Sequence, residues 1–317
     1  MSLAQALTSR FAAIPTPVQG ALLMLGAAFA LALMNGLIRE ASATLHPLQI
    51  AFLRNFFALL VLLPWLMRIG FGGLRTNRLG LHVTRALVGF VAMVLWFSSV
   101  ALLPLAEAVS LNFTVPLFAT LGAALILGEV VRARRWTATI VGFLGVLVIV
   151  RPGMEEVTLV TMLPVLAAVF MAITVLMVKA LSDSEDPTLM VFYMNLLLTP
   201  ISLVPALFVW QWPDLMTLGI MMVIGVLAVV AHLMMYQSFA RADASAVVPF
   251  QYAQLPFVAL IGYFAFAELP DLWTLAGAVI IAASATYIAR REAQIAKRDR
   301  AATHAAAERT FRNRNGL

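Results

Sequence analysis

Residues 103–129 read LPLAEAVSLNFTVPLFATLGAALILGE, and residues 243–268 read DASAVVPFQYAQLPFVALIGYFAFAE. Ala106, Pro116 and Gly122 of the first stretch return as Ala246, Pro256 and Gly262 of the second, an offset of 140 residues (256 − 116 = 140), and a one-residue gap then brings Glu129 onto Glu268. Both copies carry polar residues and a proline inside an apolar run. A proline within a helix removes an amide donor, and its ring pushes away the carbonyl four residues earlier. The carbonyls of Asn112 and Tyr252 are therefore expected to lack helical partners. In lipid such backbone is tolerated only where it is buried in protein or lines a watery cavity. Two broken helices at matching places of a duplicated chain point to a transport site near the bilayer midplane.

The duplication extends outward on both sides. At the same offset Ala27 and Ala28 match Ala167 and Ala168, Arg39 matches Lys179, Pro47 matches Pro187, Phe52 matches Phe192, Asn55 matches Asn195, and Ser98 matches Ser238. Ten apolar spans are expected, at 18–38, 48–67, 86–103, 106–127, 136–150, 159–177, 188–210, 215–240, 244–266 and 272–289. Most approach the roughly 20 residues that a 30 Å hydrocarbon core requires. The fifth is short and is accepted because its partner, the tenth, is longer. Five spans per repeat is an odd number, so the second copy lies upside down relative to the first. The expected fold is an all-α integral membrane protein built from two inverted five-helix repeats, residues 18–150 and 151–289. A cytoplasmic N-terminal segment, 1–17, precedes them and a basic cytoplasmic tail, 290–317, follows.

Composition supports this class. Of 317 residues, 62% are hydrophobic and 11% charged, and the charges gather between apolar runs. The net charge of +6 resides at helix ends and in the tail, with no basic stripe interleaved with aromatics, so no nucleic-acid partner is expected. There is no cysteine, which excludes disulfides and thiolate metal sites, and no metal or cofactor is expected. HExxH, GxSxG and P-loop patterns are absent, which argues against an enzyme and against direct ATP drive. The first apolar run exceeds a signal-peptide core and reads as a retained span. Arg10, Arg68, Arg75, Arg78, Arg85, Arg132, Arg134, Arg135, Lys179, Arg241 and the tail fall on one side, against Arg39 and Arg151 on the other. The positive-inside rule then places both termini in the cytoplasm of an inner-membrane protein.

Several matches have plain structural readings. Pro47 and Pro187 stand where spans two and seven begin, with His46 and Asp186 as N-caps. Arg39 and Lys179 follow the ends of spans one and six, where a cation suits the helix dipole. Gly142, Gly145, Gly277 and Ala278 read as close helix packing, with a dimer contact as the alternative.

The candidate binding residues flank the breaks. Span four offers Ser110, Asn112 and Thr114 before Pro116; span nine offers Gln251, Tyr252 and Gln254 before Pro256. Carbonyls freed by the prolines suit an ammonium, and side-chain amides suit a carboxylate. The alternative is that these groups hydrogen-bond neighbouring helices. Trp96 and Tyr236, equivalent in the repeat, and His232 add aromatic and titratable groups within spans three and eight. Arg54 lies seven residues into span two, about 10 Å deep, as a charge partner or a snorkelling cation. Glu129 and Glu268 follow spans four and nine as helix-end caps or gate contacts. His232 and Glu107 are the candidates for carrying protons.

The run from Ala101 through Gly153, with Pro116, the Gly128–Glu129 pair and the Gly142 span, resembles the EamA module of the drug/metabolite transporter superfamily, as does the run from Ala240 to Arg291. Phe52-Leu53-Arg54, Ala58 and Leu63-Pro64 are similar to the family's second span. Within the superfamily the chain looks most like bacterial YddG-type amino-acid exporters. The resemblance implies a basket of ten helices with spans three, four, eight and nine central and five and ten peripheral. With the inverted repeat, whose architecture is that of carriers that alternate access, it points to a secondary carrier for a small-molecule substrate in the lipid bilayer, with monomer and dimer both left open. Exported amino acids, aromatic and other neutral ones, are the expected cargo. Nucleosides, sugars or drugs are the alternative cargo, and a channel is the alternative mechanism. Met194 stands where Arg54 stands in the first repeat, so any role of Arg54 is not symmetric.

Overall fold

The computed structural model describes residues 15–70, 74–126, 133–151, 158–182, 184–241, 250–284, 286–287, 290 and 294. Among these residues the chain is helical throughout, with no strand. In chain order the helices are α1 (Thr16–Ala41), α2 (Pro47–Ile69), α3 (Leu79–Leu102), α4 (Leu105–Asn112), α5 (Val115–Ile126), α6 (Ala133–Val150), α7 (Leu159–Ser182), α8 (Pro187–Leu207), α9 (Leu215–Arg241) and α10 (Gln254–Phe266). A further helix, α11, covers Leu272–Ser284. Six of them, α1, α2, α3, α7, α8 and α9, contain a stretch long and apolar enough to cross a membrane. The region Leu105–Ala119, the end of α6, α10 and α11 are shorter apolar helices.

The helix starts follow from local chemistry. Pro47 occupies the first turn of α2, where its missing amide costs nothing, and Nδ1 of His46 accepts the Leu48 amide at 3.3 Å. Asp186 does the same for α8, its Oδ1 accepting from Thr188 N at 2.8 Å and Leu189 N at 3.3 Å. Both caps stand where the sequence places them.

The third helix differs from expectation. It begins at Leu79, seven residues before the expected Ala86, and so draws His82 and Arg85 inside the bundle, 2% and 5% exposed. Hydropathy read these residues as loop, whereas neighbouring helices supply them with partners. The expected break in span four is present: α4 ends at Asn112, Phe113 and Thr114 form a turn, and the helix resumes at Val115 with Pro116 second.

Packing is reciprocal between the halves of the chain. Helix α1 lies along α9 and α10, while α7 lies along α3 and α5; α2 packs on α8 and α9, and α3 packs on α8. Gly225 allows α9 to meet α2 closely, since a Cβ there would sit 2.9 Å from the Ala58 amide nitrogen. Helices α6 and α11 meet as tightly: a Cβ on Gly277 would stand 2.6 Å from the Gly145 carbonyl oxygen. The small residues of these two helices therefore serve packing within the chain. Arg151 and Asp271, 2.9 Å apart, join the end of α6 to the start of α11. The interior is apolar, centred on Ile50, Trp96, Val100, Leu105, Ile224 and Val258. Large apolar side chains such as Phe29, Leu87, Leu144, Val204 and Phe264 face outward, as a lipid-facing surface requires.

Candidate functional site

Four groups of polar residues interrupt this apolar bundle: one at the helix breaks, one between α2, α3, α8 and α9, and one at each end.

At the first break, Leu111 O accepts both the amide (3.2 Å) and the hydroxyl (2.7 Å) of Thr114, and Thr114 O then accepts from Leu117 N and Phe118 N to restart the helix. Ser110 donates to Ala106 O at 2.6 Å. The hydroxyls of Ser110 and Thr114, both buried, are thus committed to their own backbone and retain only acceptor capacity. Asn112 is half-buried and donates from Nδ2 to the Met171 sulfur on α7, 3.4 Å away. At the second break, Tyr252 and Ala253 form the turn before α10. The Tyr252 carbonyl does not stand free as expected: it accepts the Leu255 amide at 3.0 Å, because a tighter i+3 bond replaces the one Pro256 cannot donate. Gln251 is half-buried beside this turn, and Gln254, buried, opens α10. Pro256 faces outward. The two breaks touch, since the Phe113 ring packs on the Tyr252 ring with centroids 4.7 Å apart. The Tyr252 hydroxyl reaches Thr286.

The second group lies among the long helices. Arg54 is buried, with Nη1 donating to Asn55 Oδ1 at 2.7 Å and approaching the Met93 sulfur at 3.9 Å. Arg85 donates to Met190 O at 3.3 Å and to the Met194 sulfur at 3.5 Å, and it also interacts with Tyr236. His232 Nδ1 lies 2.6 Å from Ala228 O, which fixes the proton of the neutral ring on Nδ1 because a carbonyl only accepts. Tyr236 stands one turn further along α9, its ring centroid 6.4 Å from that of His232. Trp96 is buried in the central cluster, whereas Tyr236 packs beside Ala58, Leu62 and Phe192. These equivalent aromatics fall in different apolar clusters.

At one end Arg39 binds the last turn of α3 and not its own helix. Its Nη1 donates to the carbonyls of Val100 (3.1 Å), Ala101 (2.7 Å) and Leu103 (3.0 Å), and its Nη2 meets Glu268 Oε1 at 2.8 Å. The other oxygen of Glu268 accepts the Leu105 amide at 2.9 Å, so this carboxylate caps α4, while Asp271 caps α11 through Thr274 N. At the opposite end Thr76 donates to Glu185 at 2.5 Å, His82 stacks on Tyr193 at 4.6 Å, and Tyr193 donates to Leu74 O. Glu129 lies outside the described residues. Glu107 occupies the first turn of α4.

Sequence reasoning did not single out Arg85, Asn195 or the His82–Glu185–Tyr193 group. Arg85 stands just before the third span as hydropathy bounds it, because a charge marks a span's end. The match of Asn55 with Asn195, both buried on facing helices α2 and α8, was the available signal for a polar centre there.

Asp271, outside the spans, titrates below its usual range. Burial pushes its carboxyl upward, but hydrogen bonds from Thr274 and the charge of Arg151 outweigh that effect.

Comparison with known proteins agrees with this architecture. The EamA-like transporter family matches residues 18–151 and 158–290. The riboflavin transporter of Vibrio cholerae serotype O1 is 38% identical over 291 residues, covering 90% of this chain and 97% of that protein. The S-adenosylmethionine uptake transporter of Rickettsia bellii is 32% identical over 77% of this chain and 84% of its own length. The pseudopaline exporter of Pseudomonas aeruginosa is 31% identical over 86% of this chain and 96% of its own. A solved crystal structure shares the fold with a TM-score of 0.59 at 21% identity, covering 86% of this chain and 98% of that one. The chain is thus a membrane transporter and not an enzyme, and it belongs to the EamA-like transporter family of the drug/metabolite transporter superfamily.

Proposed function

We propose that this protein is a secondary carrier for a flat, polar metabolite of the riboflavin kind, working by alternating access in the bacterial inner membrane. The observation that carries the reading is the 38% identity to a riboflavin transporter along 97% of that protein's length. The site chemistry supports it. Phe113 and Tyr252 offer aromatic faces where the breaks meet, and Asn112, Gln251 and Gln254 offer amides for the edges of a heterocycle. Single amino acids, the cargo expected from sequence, have no counterpart in the names of the relatives above. The freed carbonyl assigned to an ammonium group is also satisfied at Tyr252.

In this reading the six long helices and four shorter units (α4 with α5, α6, α10 and α11) make ten spans, in inverted repeats at 18–150 and 151–289. The reciprocal pairings α1–α9 with α7–α3, and α1–α10 with α7–α5, support that arrangement. The distribution of Lys and Arg supports cytoplasmic termini. The Arg39–Glu268 cluster then closes the periplasmic end, and the Glu185 cluster lies at the cytoplasmic end.

The test is uptake of radiolabelled riboflavin into proteoliposomes holding the purified protein. Saturable uptake, competed by unlabelled riboflavin and reduced by Asn112→Leu with Gln254→Leu, is the expected result. Absence of saturable flavin uptake, with uptake of an unrelated metabolite in the same vesicles, would overturn the cargo assignment.

A further inference from the structure

The interior of the long-helix bundle holds two arginines that pair with no carboxylate among the described residues. Arg54 on α2 is 6% exposed and Arg85 on α3 is 5% exposed. A guanidinium carries five N–H donors. Arg54 finds one strong acceptor, Asn55 Oδ1, one distant thioether, and no partner for Nε. Arg85 finds a carbonyl at 3.3 Å, a thioether at 3.5 Å and the Tyr236 side chain. Among the described residues neither arginine pairs with a carboxylate. Thioethers are weak acceptors, so most of this donor capacity is unmet. A buried charge without a counter-charge is among the most unfavourable arrangements in a protein interior.

The repeat shows that the fold does not require these charges. Arg54 corresponds to Met194 and Arg85 to Gly225, and the second half builds matching helices with those residues. Eight residues separate Arg85 from Met93, the residue Arg54 approaches, which is about 12 Å along α3. His232 on α9 lies within electrostatic reach of both guanidiniums. The two cations therefore bracket one stretch of the bundle interior.

We propose that Arg54 and Arg85 form an anion site at the level of His232, which takes a carboxylate or phosphate group carried by the cargo. This deepens the carrier reading and rests on it. A flat metabolite bearing such a group is preferred over its neutral analogue. Flavin mononucleotide against riboflavin is the available pair.

Two measurements on the full-length protein decide it. Thermal unfolding in detergent is followed in sodium phosphate, sodium acetate and sodium chloride at equal ionic strength. Uptake of labelled riboflavin into proteoliposomes is competed by riboflavin and by flavin mononucleotide. In the parent protein phosphate, acetate or both raise the midpoint above that in chloride, as an anion binding only the folded state must. Flavin mononucleotide competes at about tenfold lower concentration than riboflavin. Both effects vanish in Arg54→Gln and Arg85→Gln, and persist in Arg54→Lys and in Arg68→Gln, an exposed control. A shift with phosphate alone, or with acetate alone, upholds the site and identifies the group. Equal midpoints in the three salts, or shifts of the same size in both Gln variants, would overturn the proposal. If the Gln variants do not fold, the competition in the parent still decides, since the absence of any advantage of flavin mononucleotide over riboflavin overturns the proposal. An anion shift without flavin uptake sinks the flavin reading and leaves the site. Flavin uptake without a shift does the reverse.

Discussion

If the transporter works by alternating access as proposed, breaking the Arg39–Glu268 pair should open one of its ends. The two side chains are 22% and 18% exposed, the ion pair measures 2.8 Å, and together they tie the end of α1 to the last turn of α3 and the first amide of α4. Hydrogen bonds to charged groups contribute about 1.5–3 kcal/mol. Partial exposure brings a single pair down towards about 1 kcal/mol. Glu268→Gln keeps an acceptor of the same shape and loses the charge, so about 1 kcal/mol of closed-state preference goes, roughly fivefold in population. Arg39→Ala also releases three carbonyls, and about 2 kcal/mol raises opening by roughly thirtyfold. The chain has no cysteine, so Ala108→Cys, 0% exposed and one turn below Leu105, gives a background-free reporter. Its labelling rate by a membrane-impermeant maleimide, added from the side proposed to be periplasmic, should rise in that order. The double variant should gain little over Arg39→Ala alone, since both remove one cluster. Unchanged labelling in Glu268→Gln and Arg39→Ala, with a lowered unfolding midpoint in both, would refute the gate and leave a structural tie.

Gly277→Val forces a side chain against the Gly145 carbonyl and should cost about 1–3 kcal/mol, read as a lower unfolding midpoint; Gly80→Ala, with open space around it, should leave the midpoint unchanged or raised. Asp271→Asn keeps the cap on α11 but loses the attraction to Arg151. The Asp271 carboxyl titrates lower in the folded chain than in the unfolded one, so its stabilisation is complete above the unfolded value, about 3.9, and fades as pH falls through the folded value. The parent should therefore exceed the variant in midpoint near pH 7 by an amount that shrinks towards pH 3; a gap independent of pH would exclude the charge as its source. For orientation, Ala43→Cys and Asn77→Cys, both exposed in turns at opposite ends, should label only from outside and only from inside, respectively, in intact cells. The reverse pattern would invert the proposed topology.

The helices themselves were legible because lipid imposes a simple rule: long apolar runs cross, and charges mark the ends. That rule failed at Arg85. A charge reads as loop to any hydropathy window, and only the facing helices α8 and α9 show that the guanidinium is enclosed. It failed differently at Tyr252, where a one-residue tightening satisfied a carbonyl that proline geometry alone leaves free. The residues at the breaks were identified individually from their polarity, but their mutual contact through Phe113 and Tyr252 was not, because those residues lie far apart in the chain.

Sequence by itself determined the membrane class, the 140-residue duplication (Pro116 to Pro256), the family and the proline breaks, all of which reside in composition and spacing along one chain. Tertiary structure alone decided which charge meets which. Glu268 caps α4 and not the helix after it, Arg39 seals α3 and not its own helix, and among the described residues neither buried Arg54 nor buried Arg85 pairs with a carboxylate. Electrostatic partnership depends on distance through space, and residues 229 positions apart, as Arg39 and Glu268 are, carry no local signal of their meeting.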